Sequence, residues 1–128
     1  MRVAAIIIKD GKILLIHRIK SGQEYYVFPG GGVKEGESLE EALIREIKEE
    51  LTLDVKVFKQ IFNITNQGRE EFYFLIQEYD GISQLNGEEK ERMDENNQYI
   101  PVWIKVSEAI SMSNLYPKEA RNLLISQF

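Results

Sequence analysis

The chain has no cysteine among its 128 residues. Disulfides, thiolate nucleophiles and cysteine-based zinc sites are thereby excluded. It has one histidine, His17, and a single imidazole cannot build a histidine-rich metal centre, so a structural or surface role is expected for it. Long apolar runs are missing as well. The apolar start, Val3 to Ile8, is far too short to span a bilayer. No N-terminal stretch has the charged, apolar and cleavage regions of a signal peptide. A soluble, cytoplasmic domain with no membrane partner is the expectation. Basic residues are not in excess: 16 Lys and Arg stand against 21 Asp and Glu, for a net charge of −5. They are spread along the chain, so no nucleic-acid polymer is expected as a partner. An acidic protein that binds a polyphosphate usually needs metal cations between its own carboxylates and the ligand.

What is present suffices for one compact domain over residues 1–128 with a single core, since 43% of the residues are hydrophobic. No fixed-period repeat or low-complexity tract interrupts it, which excludes a solenoid. Arg2 to Ile8 reads as a buried strand, Asp10-Gly11 as a hairpin turn, and Ile13 to Arg18 as the returning strand. Ser21 to Glu24 reads as a polar connection. A short aromatic strand, Tyr25 to Phe28, is stopped by Pro29, Gly30, Gly31 and Gly32. An extended stretch from Val55 to Ile64, a turn at Asn66 to Gly68 and a strand from Phe72 to Tyr79 follow later. Gly81 to Asn97 is polar and carboxylate-rich and reads as a mobile loop of the kind that often carries function. Ile100 to Val106 reads as a strand, and Pro117 opens a terminal helix. Strands and helices are mixed, with both a hairpin and longer crossovers. The expected class is α/β (α+β mixed), a central mixed β-sheet with helices packed on it.

The informative segment runs from Gly31 to Leu53. Ser38 and Glu41 have the spacing of a capping box, which predicts a helix from Leu39 to about Leu51. At about 100° per residue, Leu43, Ile44, Ile47 and Leu51 gather into one apolar stripe. Glu46, Glu49 and Glu50 stand at i, i+3 and i+4 and share an adjoining face. Glu50 lies only about 75° from the centre of the stripe and Glu46 about 115°. A merely solvated acidic face would be centred opposite the stripe. Neighbouring carboxylates repel, Lys48 points elsewhere on the wheel, and unpaired carboxylates at a core border call for a cation. Hard oxygen ligands favour Mg²⁺, with Mn²⁺ as a substitute. The glycines before the helix let backbone approach a ligand closely.

These residues resemble the Nudix box: Gly31, five residues, Glu37, seven residues, Arg45-Glu46-Ile47, one residue, then Glu49-Glu50, closing on Leu53. The resemblance implies a Nudix-like (MutT-like) α/β/α sandwich and a pyrophosphohydrolase. It implies that Glu46, Glu49 and Glu50 hold the divalent cation, with Gly31 shaping the loop beside it. It also implies an orienting ion pair between Arg45 and Glu37. The catalytic base is Glu46 or a glutamate of the later loop, among Glu88, Glu89, Glu91 and Glu95. One position departs from the pattern. Thr52 stands where the family has glycine, and a β-branched residue disfavours the left-handed helix end glycine would supply. The helix is therefore expected to leave through a different turn.

The implied substrate is a nucleotide pyrophosphate: an NTP or dNTP, oxidised forms included, cleaved to NMP and pyrophosphate. A nucleotide sugar or ADP-ribose is the enzymatic alternative, and a non-catalytic nucleotide sensor is the alternative of another class. Candidate substrate contacts are Arg18, Tyr26, Phe28, Phe74 and Glu95, and Arg2 is a further cation within reach of a phosphate. The aromatic side chains at strand positions divide between core packing and base stacking. Either a monomer or a homodimer is compatible with the chain.

Overall fold

The structure, a computed structural model, describes residues 1–81 and 97–127. The strands are β1 (Arg2–Lys9), β2 (Lys12–Lys20), β3 (Gln23–Val27), β4 (Gly30–Gly32), β5 (Asp54–Asn66), β6 (Arg69–Asp80), β7 (Asn97–Lys105) and β8 (Leu115–Tyr116). The helices are α1 (Leu39–Leu51), α2 (Val106–Ala109) and α3 (Lys118–Gln127). The strands form one curled mixed sheet in the order β5-β6-β1-β2-β3-β8, with β4 added on β1 and β7 on β2. β1 runs parallel to β6 and antiparallel to β2 and β4.

Three tight turns set the register. Asp10-Gly11, Ser21-Gly22 and Gln67-Gly68 each place both residues at positive φ, between 51° and 82°. Such two-residue turns match the right-handed twist of the strands they join. The stretch expected as a polar connection, Ser21 to Glu24, is therefore a turn of two residues, and Gln23 and Glu24 already belong to β3. The strand expected from Ile100 begins at Asn97, and α2 and β8 were not expected at all. The four loop glutamates considered above lie outside the described residues.

The interior divides in two, where a single core was expected. Alternation along β1 sends Val3, Ala5 and Ile7 to one face and Ala4 and Ile6 to the other. The first face packs against Leu43, Ile47 and Leu51 of α1, with Leu14, Phe74 and Ile76. The second packs against Ala120 and Leu124 of α3, with Phe28, Ile64 and Tyr73. Covering both faces explains why β1 is an uninterrupted apolar run and not an alternating one.

The glycines after Pro29 do not merely stop a strand. They form β4, in register Arg2↔Gly32, Val3↔Gly31 and Ala4↔Gly30. Backbone contact here is closer than any side chain allows. A Cβ on Gly30 would sit 2.1 Å from the Val3 carbonyl oxygen and 2.8 Å from the Ala4 Cα. Gly30→Ala should thus destabilise the fold, by about 1–3 kcal/mol, the usual cost of overpacking. That corresponds to a drop in Tm of several degrees for a domain of this size. An unchanged Tm by calorimetry would show that β1 and β4 can separate freely.

Candidate active site

The helix that carries the carboxylates starts and ends on defined bonds. The Ser38 hydroxyl accepts from the Glu41 N–H at 3.1 Å, and the Ser38 N–H donates to the Glu41 carboxylate at 3.0 Å. At the other end Thr52 takes the left-handed conformation, with φ 60° and ψ 26°. This corrects the expectation that a β-branched residue would force another exit. The Thr52 N–H donates to the Lys48 carbonyl at 3.0 Å, its hydroxyl donates to the Leu51 carbonyl, and Leu53 beyond it is fully buried. Those contacts offset a backbone cost of about 1–2 kcal/mol.

The buried residues of α1 are Ala42, Leu43, Ile47 and Leu51. Ile44, expected in the apolar stripe, is 42% exposed. At about 100° per residue, Glu46 and Glu50 fall inside the arc between Ala42 and Leu51. They face the glycine segment, where α1 packs on β4. Glu49 lies outside that arc and its side chain is 55% exposed.

Gly31 and Glu46 meet directly. A Cβ on Gly31 would lie 2.1 Å from a Glu46 carboxylate oxygen, so only glycine lets that carboxylate lie over the backbone. The Gly30 N–H donates to the Glu50 carboxylate at 3.0 Å. Arg45 ties the remaining groups together. Its Nε and Nη2 grip the two Glu37 oxygens at 2.6 and 2.8 Å. Nη1 donates to Glu46 at 2.7 Å and to Glu49 at 3.2 Å, and Nη2 also donates to the Gly32 carbonyl at 3.0 Å. All five guanidinium N–H groups are used. The carboxylates are therefore not unpaired, as the sequence suggested: Arg45 forms ion pairs with Glu46 and Glu49 as well as Glu37, and Lys48 pairs with Asp54 at 3.1 Å. Among the described residues no three Asp, Glu or His side chains converge closely enough to enclose a metal ion as they stand.

The chemistry of the set nevertheless suits a hard cation. Glu46, Glu49 and Glu50 offer carboxylate oxygens on one side of α1, and the bare Gly31 backbone beside Glu46 leaves room for an oxygen ligand. The hydrogen bonds from Arg45, then that from the Lys34 N–H, lower the Glu37 pKa to about 2. The same ion pair raises that of Arg45. Because the folded Glu37 titrates below its ordinary 4.5, its contribution to stability is complete above that pH. It is lost as the pH falls from there toward 2. Glu37→Gln should flatten the dependence of the urea midpoint on pH in that window. Parallel curves for variant and parent would refute the ion pair as an acid-sensitive element.

A second feature opens on the α3 side of the sheet. A cavity of about 230 Å³ is lined by Arg2, Arg18, Arg69, Glu71, Asn66 and aromatic residues including Tyr25, Phe28 and Tyr116. Arg2 donates to the Phe28 carbonyl at 3.2 Å. Phe28 is two residues from Gly30, about 7 Å of extended chain, so cavity and carboxylates border the same short segment. Arg18 lies over the Tyr99 ring at 3.7 Å and donates to Asn97. Its Nε is buried with no hydrogen-bond partner among the described residues.

The candidate substrate contacts divide accordingly. Arg18 lines the cavity, and Phe28 lines it with only 1% exposure. Phe74 does not take part: it is 2% exposed and packs edge-on against Phe58 on the α1 side, so it is core. Tyr26 stacks on His17 at 4.6 Å, away from the cavity lining, and His17 pairs with Glu24 at 2.7 Å. Glu95 lies outside the described residues. Arg69, Glu71 and Asn66 were missed, because residues flanking a turn in sequence carry no signal of converging on β1.

The NUDIX domain model matches residues 1–125. The chain belongs to the Nudix family. Its fold is shared by the solution structure of the Escherichia coli ORF135 protein, with a TM-score of 0.76 and 30% identity, covering 98% of this chain and 86% of that one. A structure of MutT, from work on Aliivibrio salmonicida and Vibrio cholerae, gives a TM-score of 0.74 at 25% identity, covering 98% and 93%. Among curated Nudix relatives, an ADP-ribose pyrophosphatase of Methanocaldococcus jannaschii is 52% identical over 56 residues, 43% of this chain and 33% of that protein. A CTP pyrophosphohydrolase of Escherichia coli is 46% identical over 57 residues, 43% and 42% of the two chains. An RNA pyrophosphohydrolase of Teredinibacter turnerae is 48% identical over 50 residues, 38% and 29%. The matched segments thus span roughly a third of the length of these curated relatives. Among the described residues no helix is long and apolar enough to cross a membrane.

Proposed function

We propose that this Nudix protein hydrolyses the pyrophosphate linkage of a nucleotide, with an NTP or dNTP cleaved to NMP and pyrophosphate as the first substrate class. The observation that carries this reading is the contact of Glu46 and Glu50 with Gly31 and Gly30, on a segment whose other end lines an arginine-rich cavity. In this reading the cavity takes the nucleoside and the glycine segment passes the phosphates to α1. Glu46, Glu49 and Glu50 would hold a divalent cation, Mg²⁺ in the first instance. Bound there, such an ion acidifies the attacking water and neutralises charge on the leaving phosphate.

The chain's own groups do the rest. Arg45 keeps the carboxylates in place through Glu37 and the Gly32 carbonyl. Gly31 leaves space where any side chain would displace Glu46. Glu46, half-buried beside Gly31, is a base within the described residues that can take the proton of the water. Arg2, Arg18 and Arg69 offset the charge that an otherwise acidic protein presents to a nucleotide.

The test is hydrolysis of a panel of NTPs, dNTPs, 8-oxo-dGTP, ADP-ribose, UDP-sugars and 5′-triphosphorylated RNA, each with Mg²⁺, Mn²⁺ or EDTA. Cation-dependent release of a nucleoside monophosphate, or of pyrophosphate from the RNA, supports the reading and selects the substrate. Nucleotide binding without any turnover would replace it with a sensor. Glu50→Gln should keep the fold and lower turnover by about 100-fold or more, the usual loss for one preorganised electrostatic group. Gly31→Ala should likewise fold, since a flexible carboxylate yields to the new methyl, and should lose activity through the displaced Glu46. Full activity in both variants would remove these residues from the site.

A further inference from the structure

Glu71 is the one charged side chain among the described residues that is buried, at 2% exposure. It lines the cavity between Arg2, Arg18 and Arg69. Its Oε1 accepts from the Tyr73 hydroxyl at 2.9 Å, and its Oε2 accepts from the Asn66 amide at 3.1 Å with an Arg69 nitrogen at 3.5 Å. Burial, and the carboxylate beside it, push the Tyr73 hydroxyl far up in pKa, so that it remains a donor. A carboxylate has about four acceptor positions, and these three neighbours leave about one for a ligand. The surrounding cations can only donate, so Glu71 is the one charged acceptor lining a pocket rich in donors.

A planar heterocycle in such a pocket is read at two neighbouring points. It meets an acceptor at Glu71 and donors from the arginines that line the cavity. Cytosine, adenine and guanine each present an exocyclic amino donor close to a ring or carbonyl acceptor. Uracil, or hypoxanthine in place of adenine, puts a carbonyl where the amino group would be. That oxygen would face the Glu71 carboxylate with no proton between them.

We infer that Glu71 is a specificity-determining residue that selects bases bearing an exocyclic amino group over their keto counterparts. The inference rests on the reading of this cavity as the nucleoside seat. A carboxylate accepting from a base amino group discriminates by about 10- to 100-fold.

The test is calorimetric binding of matched mononucleotides, CMP against UMP, AMP against IMP and GMP against XMP, to the full chain and to Glu71→Gln. The parent protein is expected to prefer the amino-bearing member of at least one pair by about 10-fold or more. In Glu71→Gln the ratio should fall to about 3 or less while both members still bind. Glu71→Asp, which keeps the charge but withdraws it by one methylene, serves if the amide variant fails to fold, and should lose the preference similarly. A purely structural Glu71 would weaken both members of a pair together and leave the ratio unchanged, which would overturn the inference. No preference in the parent, or no mononucleotide binding at all, would overturn it without any variant. Because binding is read without turnover, a preserved preference in a protein that hydrolyses nothing would sink the proposed activity and leave this assignment standing.

Discussion

Everything at the candidate site depends on two adjacent residues that have no Cβ. Gly30 lets its own backbone press against Val3 and Ala4 of β1, and Gly31 lets the Glu46 carboxylate lie over the chain. The four-residue run from Phe28 to Gly31 is thereby held on both sides. The central strand is behind it, the carboxylate helix stands over one end, and the cavity opens at the other. A side chain at Gly30 would push β4 off β1, and one at Gly31 would displace the Glu46 carboxylate, so either would cost the carboxylates their relation to the pocket.

That arrangement concentrates negative charge where a helix least favours it. Glu49 and Glu50 lie in the last turn of α1, toward the negative end of the helix dipole. Arg45 answers this locally, with each of its five N–H groups bonded and two of them shared between Glu46 and Glu49. The guanidinium fork suits this role as an ammonium could not, because its donors are fixed in one plane and reach several oxygens at once. The protein thus holds clustered carboxylates by an internal cation and leaves that cluster facing an open backbone.

The cations that the sequence spreads over its length are gathered by the fold. Arg2 comes from β1, Arg18 from β2 and Arg69 from the start of β6, and they converge on one cavity in a chain whose net charge is −5. Overall charge therefore says little about the local field a ligand meets, because the field depends on which side chains the strand register brings together.

The local elements and the carboxylate helix are legible in the sequence alone. The capping box at Ser38 and Glu41, the Asp10-Gly11 turn and the apolar β1 are short-range signals, and each is an outcome of chemistry within a few residues. The spacing of Glu46, Glu49 and Glu50 was legible for the same reason, since a helix fixes their relative directions. What those groups touch was settled by the packing of distant segments. It paired Gly30 and Gly31 with β1, allowed Thr52 a left-handed exit, sent Phe74 into the core, and brought Arg69 and Glu71 beside Arg2. The last two of these depend on a parallel crossover linking β1 to β6, which joins residues almost seventy positions apart. No local pattern encodes such a pairing, because its driving force is the burial of β1 on both faces rather than any property of the residues next to it in the chain.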